Sequence, residues 1–271
     1  MSLRIQNNVE AFNAHRQLLG TSGRMAKSME KLASGFRINR AADDAAGLAI
    51  SEKLRGQVGG LAQAQRNAMD AVSLVQTAEG ALQEVHSMLQ RVRDLKVQYL
   101  NGTLSAADKT SIENEVTQLG NEISRIGSDT KFNGVTLLAS TGSVTFQVGA
   151  EDNQTIGVST AQLYGAGSGY EVDSAIFTAF SAATIADIDG AIDNVSSTRA
   201  TFGSVQNRIE HTLNNLAAYQ ENLQASESRI RDVDMAAELV TFTKFQILQQ
   251  AGTSMLAQAN AAPQAVLSLL R

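Results

Sequence analysis

Seven apolar residues recur every seven positions in the last third of this chain: Ile188, Val195, Phe202, Ile209, Leu216, Leu223 and Ile230. An ideal helix drifts by about 20° per heptad, so a row this strict stays buried only if the helix winds around a long partner. Unbroken from 188 to 230, such a helix would be roughly 65 Å long at about 1.5 Å per residue. The neighbouring row is mixed, with apolar Ile192 and Leu213 but polar Arg199, Gln206 and Gln220. The expectation is an elongated helical packing around one clean seam.

The first half supplies the partner. Leu54, Leu61, Ala68, Val75, Leu82 and Leu89 form a second heptad row, flanked by Val58, Val72, Val85, Val92 and Tyr99. Asn101-Gly102 then favours a turn with positive φ. Ser105 with Asp108 reads as a capping box that opens a third helix, carrying Ile112, Val116, Leu119, Ile123 and Ile126 and stopping near Gly127. Between 130 and 160 the period changes to two. Asn133-Gly134 signals a turn, Val144, Phe146 and Val148 alternate with polar residues, and 151–154 turns the chain into a strand over 155–159. Residues 161–183, with Gly165, Gly167 and Gly169, read as irregular.

The ends differ from the middle. Residues 1–40 are helical with an imperfect seam: Val9, Phe12 and Leu19 lead it, and Met25, Met29 and Leu32 continue it after a shift near Gly20 and Gly23. Residues 41–47 read as a structured connection. From 235 to 271 the only charges are Glu238, Lys244 and Arg271, while Met235, Leu239, Phe242, Phe245, Leu248, Met255 and Leu256 spread a broad apolar surface. A helix so poor in charge is normally packed on most sides. Both termini are therefore expected to fold fully only when other subunits cover them. The reading is a mainly α protein: a long antiparallel coiled-coil rod built from both ends of the chain, with a small β-hairpin region. Residues 1–46 with 235–271 form a terminal coiled-coil domain, and 47–234 a helical rod with the β region at about 130–183.

Chemistry is sparse. His15, His86 and His211 have no metal-ligand spacing, and no nucleophile, base or cation-binding loop assembles, so an enzyme, a cofactor and a metal are not expected. Asp43, Asp44, Asp232 and Asp234 are expected to pair with Arg37, Arg40, Arg229 and Arg231. With no Cys, disulfides and thiolate chemistry are excluded. A net charge of −5 without a basic cluster argues against nucleic acid. No apolar run is long enough to span a membrane, and the last segment lacks the basic face of a membrane-surface helix. The first eight residues do not read as a secretory signal peptide. Asn101-Gly-Thr, Asn153-Gln-Thr and Asn194-Val-Ser fit an N-glycosylation pattern that is short enough to recur by chance.

Several long stretches carry a family likeness. They are Ser34-Gly-Phe-Arg-Ile-Asn-Arg-Ala-Ala-Asp-Asp-Ala-Ala-Gly-Leu-Ala-Ile-Ser-Glu-Lys-Leu-Arg-Gly56, Gln76-Thr-Ala-Glu-Gly-Ala-Leu82, Leu89-Gln-Arg-Val-Arg-Asp-Leu95, Phe132-Asn-Gly134, Phe146-Gln-Val-Gly149, Glu227-Ser-Arg-Ile-Arg-Asp-Val-Asp234 and Met255-Leu-Ala-Gln-Ala-Asn260 with Leu269-Leu270-Arg271. In these motifs the chain resembles bacterial flagellin across nearly its whole length, as a short form lacking bulky outer domains.

The resemblance implies a structural subunit that self-assembles into the helical flagellar filament used for swimming. It implies export, without a cleaved signal peptide, through the flagellar type III apparatus with an export chaperone, to an extracellular filament bounded by cap and hook-associated proteins. Val9, Phe12, Leu19, Leu239, Phe242, Met255 and Leu256 would then lie on terminal polymerisation helices. It also implies recognition by an animal innate immune receptor, with Arg91, Leu95 and Glu115 as central contacts and Arg91 and Leu95 as an exposed pair. Lys96 stands where the family pattern has a small or apolar residue. The hook–filament junction protein of the same superfamily is the nearest alternative; a helical-hairpin signalling protein would explain the heptads but not the charge-poor ends.

Overall fold

The computed structural model describes residues 7–166 and 170–269, with side chains up to residue 261. Met1–Gln6, Gly167, Ser168, Gly169, Leu270 and Arg271 lie outside the described residues. The protein is mainly α. Helices α1 (Val9–Ser34), α2 (Ala45–Tyr99) and α3 (Ala106–Asp129) come first. Short strands β1 (Lys131–Phe132) and β2 (Val135–Thr136), the hairpin β3 (Ala139–Gln147) and β4 (Thr155–Gln162), and β5 (Tyr164–Gly165) with β6 (Val172–Asp173) follow. The one-turn helix α4 (Ala175–Thr178), then α5 (Ile185–Arg231) and α6 (Met235–Leu269), complete the order. Two compact units result: 57–221, and 1–56 with 222–271. The expected boundary at 46/47 falls in the first turn of α2 and that at 234/235 at the start of α6, whereas the units divide further inside α2 and α5.

In the 57–221 unit, α2 buries an unbroken alternation of four and three. Leu61, Ala68, Val75, Leu82 and Leu89 form one row, and Ala64, Ala71, Ala78, Val85 and Val92 the other. The second row was expected to include Val58 and Val72; these are half-buried, and alanines occupy the seam instead. α5 buries Ile188, Val195, Phe202, Ile209 and Leu216, with Leu223 and Ile230 half-buried beyond the unit. Its second row is Ala191 and Val205, one residue before the mixed positions read from the sequence. Antiparallel register between α2 and α5 is marked by Arg93–Asp189 at 2.6 Å and Glu79–Arg199 at 3.8 Å. Pairing with Asp189 raises the Arg93 pKa above its ordinary value.

The third helix opens on the expected capping box. The Asp108 amide donates to Ser105 Oγ, and the Ser105 amide to Asp108 Oδ2 at 3.0 Å. α3 does not stop at Gly127. That glycine is buried beside Leu163, and Gly120 is buried against the Phe177 ring, where an added Cβ would lie 2.6 Å from Cγ. Both are packing glycines that keep the helix close to its neighbours. At 101–102 the turn is made without positive φ: Asn101 Oδ1 accepts the Thr103 amide at 3.3 Å. Asn133 and Gly134 do adopt positive φ, at 48° and 82°, as a two-residue hairpin turn requires. The β3–β4 hairpin pairs Val144 with Val158 and Phe146 with Ile156, and Asn67 ties it to α2 by donating to Gln147 O at 2.9 Å. The stretch read as irregular holds β5, β6 and α4, and its residues Val172, Ile176, Phe177 and Phe180 belong to the core. α5 then starts on a second capping box, Thr184 with Asp187, which the sequence reading overlooked. The Thr184 amide and hydroxyl hold Asp187 below the usual carboxylate range.

Candidate assembly surfaces

In the terminal unit α1 and α6 pack antiparallel: Asn8 Nδ2 donates to Ala259 O at 2.7 Å, and Gly252 faces Leu18. The α1 seam is Ala11, Ala14, Leu18, Thr21, Met25, Ser28 and Leu32, spaced by three and four with no shift at Gly20 or Gly23. Facing it are Glu238, Phe242, Phe245, Gln249, Gly252, Leu256 and Ala259 of α6. Of these, only Ser28 is fully buried.

The large apolar residues lie elsewhere. Val9, Phe12, Leu19 and Met29 are off the α1 seam, and Phe12 is 72% exposed. On α6, Met235, Leu239, Val240, Ile247, Leu248 and Met255 are exposed, Ile247 by 65%. Five of the seven predicted polymerisation residues (Val9, Phe12, Leu19, Leu239 and Met255) thus point away from the helix pair, while Phe242 and Leu256 are half-buried along it. Burying one such side chain fully is worth about 1.5–3 kcal/mol.

Between the helices of this unit the two connections are joined. Phe36 and Asp232 form an antiparallel bridge; the Arg37 amide donates to Arg231 O at 2.7 Å and the Val233 amide to Gly35 O at 3.0 Å. Gly35 makes the bend with φ 75°. The expected pairing of four aspartates with four arginines is not what forms. Asp43 accepts the Arg40 and Asn39 amides, which hold it below the usual carboxylate range, with Lys27 assisting at 3.8 Å. Asp44 and Asp234 cap α2 and α6 by accepting the Gly47 and Ala236 amides. Arg40 pairs with Glu30 at 2.8 Å, Arg231 with Glu52 at 2.6 Å beneath the Phe36 ring, and Arg37 donates to Ile230 O. Arg229 donates to Ser226 Oγ. A free first-turn amide outcompetes an exposed arginine because the carboxylate reaches it without ordering a long side chain.

Arg91 and Glu115, predicted together, are in contact: Nη2 lies 2.8 Å from Oε1 on the exposed faces of α2 and α3. Leu95 is not exposed beside them. It is 1% accessible and part of the core, so the expected Arg–Leu surface pair is reduced to its arginine. Among the described residues no three acidic or histidine side chains come together as a cation would require.

Comparison with known proteins places this arrangement. Residues 5–143 match the bacterial flagellin N-terminal helical region, and residues 185–270 the bacterial flagellin C-terminal helical region. The flagellin of Halalkalibacterium halodurans is 50% identical over 279 aligned positions, covering 98% of this chain and 99% of that one. The flagellin of Bacillus subtilis is 49% identical, covering 99% and 100%. A Treponema phagedenis protein named as a flagellar filament 33 kDa core protein is 47% identical over 98% of this chain and 99% of its own length. Among solved structures, one described as a flagellar hook-associated protein of Vibrio parahaemolyticus shares the fold, with TM-score 0.60 over 70% of this chain and all of that one, at 16% identity. With both terminal helical regions matched and full-length relatives near half identity, the chain belongs to the bacterial flagellin family, structural proteins of the flagellar filament.

Proposed function

We propose that this chain polymerises into a long flagellar filament for swimming, through the exposed apolar faces of α1 and α6. The observation that carries the reading is that Val9, Phe12, Leu19, Leu239, Ile247 and Met255 remain exposed after the two helices have packed together. Head-to-tail burial of such faces generates an open helix of subunits wherever the rotation does not close. Because burial needs a second copy, folding of the ends is tied to concentration, and growth is favoured at an existing filament end. The flagellar export apparatus, an export chaperone, cap proteins and hook-associated proteins are the partners this role requires, and the filament is extracellular. A hook–filament junction protein has the same terminal helices but builds a short zone. Electron microscopy of seeded protein tests the assignment, because filament length separates the two.

Recognition by an animal innate immune receptor belongs to the same reading, with Arg91 and Glu115 as the accessible contacts. Exposed ion pairs contribute about 0–1 kcal/mol, so Arg91→Ala should leave the melting temperature almost unchanged. As an interface hot spot its loss should weaken signalling in receptor-bearing cells by about tenfold or more. Undiminished signalling by the folded variant would remove Arg91 from the contact. Leu95→Ala is a poor probe, because emptying a buried leucine site costs about 2–5 kcal/mol of fold stability by itself.

A further inference from the structure

The α2 row that runs through Leu61, Ala68, Val75, Leu82 and Leu89 reaches a lysine at its next position, Lys96. It is 1% accessible, in a row of otherwise apolar side chains. A buried ammonium is costly unless it is paired and hydrogen-bonded, and an apolar residue would fill a seam position without that cost. The surroundings supply the pairing. Lys96 Nζ donates to Phe180 O at 2.6 Å and to Ser181 O at 3.4 Å. It lies 4.7 Å from the centroid of the Phe180 ring and 5.1 Å from that of Tyr99, and the two rings stand edge to face at 5.5 Å.

We propose that Tyr99, Phe180 and the carbonyls of Phe180 and Ser181 form a receptor for a primary ammonium, occupied by Lys96 itself, and that this occupancy fastens the segment 174–184 to α2. The charged groups facing it come from every side. Glu113 of α3 accepts the Tyr99 hydroxyl at 2.8 Å, Asp187 of α5 contributes a second negative charge, and Lys109 of α3 lies 5.2 Å from the Tyr99 ring. Burial pulls the Lys96 pKa below its ordinary value, and Glu113 and Asp187 oppose that pull. Ring faces attract the cation electrostatically, and the two carbonyls take two of its three N–H donors. The segment's backbone bonds from 177 to 183 are local, such as Ala182 and Ala183 N–H to Ala179 O, while its Ile176, Phe177 and Phe180 side chains pack into the core.

The test is amide hydrogen exchange on the full-length monomer. In Lys96→Ala, exchange across residues 177–183 should quicken by at least about tenfold, the loss expected for hydrogen bonds from a charged donor. Adding n-butylammonium should restore the protection, whereas n-butanol and tetramethylammonium, which lack a primary ammonium, should not. Lys96→Met, matched in length but uncharged, should show the same local loss without rescue by the amine. Parent-like protection in Lys96→Met would overturn the proposal, as would equal rescue by n-butanol. If the alanine variant unfolds throughout, the methionine variant decides: fast exchange confined to 177–183 supports the receptor, and parent-like exchange there refutes it.

Discussion

A chain ending at Asp234 should keep the fold of residues 57–221 and form no filaments. The core of that unit draws on α2, α3, the small strands, α4 and α5, and none of its buried apolar residues lies beyond Leu216. Removing α6 therefore takes nothing from it. It does take the partner of α1, whose own seam is mostly Ala, Thr and Ser and cannot hold an isolated helix in water. The truncation also deletes the exposed row Leu239, Val240, Ile247, Leu248 and Met255. Circular dichroism should show helix lost from both terminal segments, with the main melting transition kept. Sedimentation with added filament seeds should show no pelleted polymer. Normal filaments from this truncation would show that α6 is not an assembly element.

Phe202→Ala should be the most damaging truncation along the α5 seam. Phe202 is 2% exposed in the middle of the buried row, and emptying such an aromatic site costs about 3–5 kcal/mol. Leu223 lies on the same heptad row but is half-buried, so Leu223→Ala should cost about 1 kcal/mol, near the centre of the range for point substitutions. Denaturant midpoints at constant slope give both values. Equal costs at the two positions would mean that the heptad row is not graded as its burial indicates.

The gradient shows where periodicity is a reliable guide. The α5 row and the first α2 row were legible because large apolar residues sit at fixed spacing and nothing competes with them. On α1 the same logic misled. Val9, Phe12 and Leu19 look like a seam because they are large, yet the packed row is Ala11, Ala14, Leu18, Thr21, Met25 and Ser28. Small residues let helices approach closely, and the bulky ones are left exposed. The apparent shift at Gly20 and Gly23 came from following those bulky residues.

Gly120 and Gly127 were hidden for a related reason. A buried glycine is defined by what it touches, here Phe177 and Leu163, and those contacts come from residues about forty to sixty positions away in sequence. Burial of Leu95 likewise depends on the core assembled around it. Lys96 left a usable signal: extending the row Leu82, Leu89 by seven lands on it, so a charged residue was due at a seam position. The Asp44 and Asp234 caps were also readable, since each stands just before the first turn of a long helix.

Polymerisation is proposed to run through the exposed faces of the terminal helices. Negative-stain electron microscopy of the purified full-length chain, after adding short filament seeds, tests it most directly. Long, thin tubes of uniform diameter should grow from the seeds. Monomers alone, or stubs that stop growing, would contradict it.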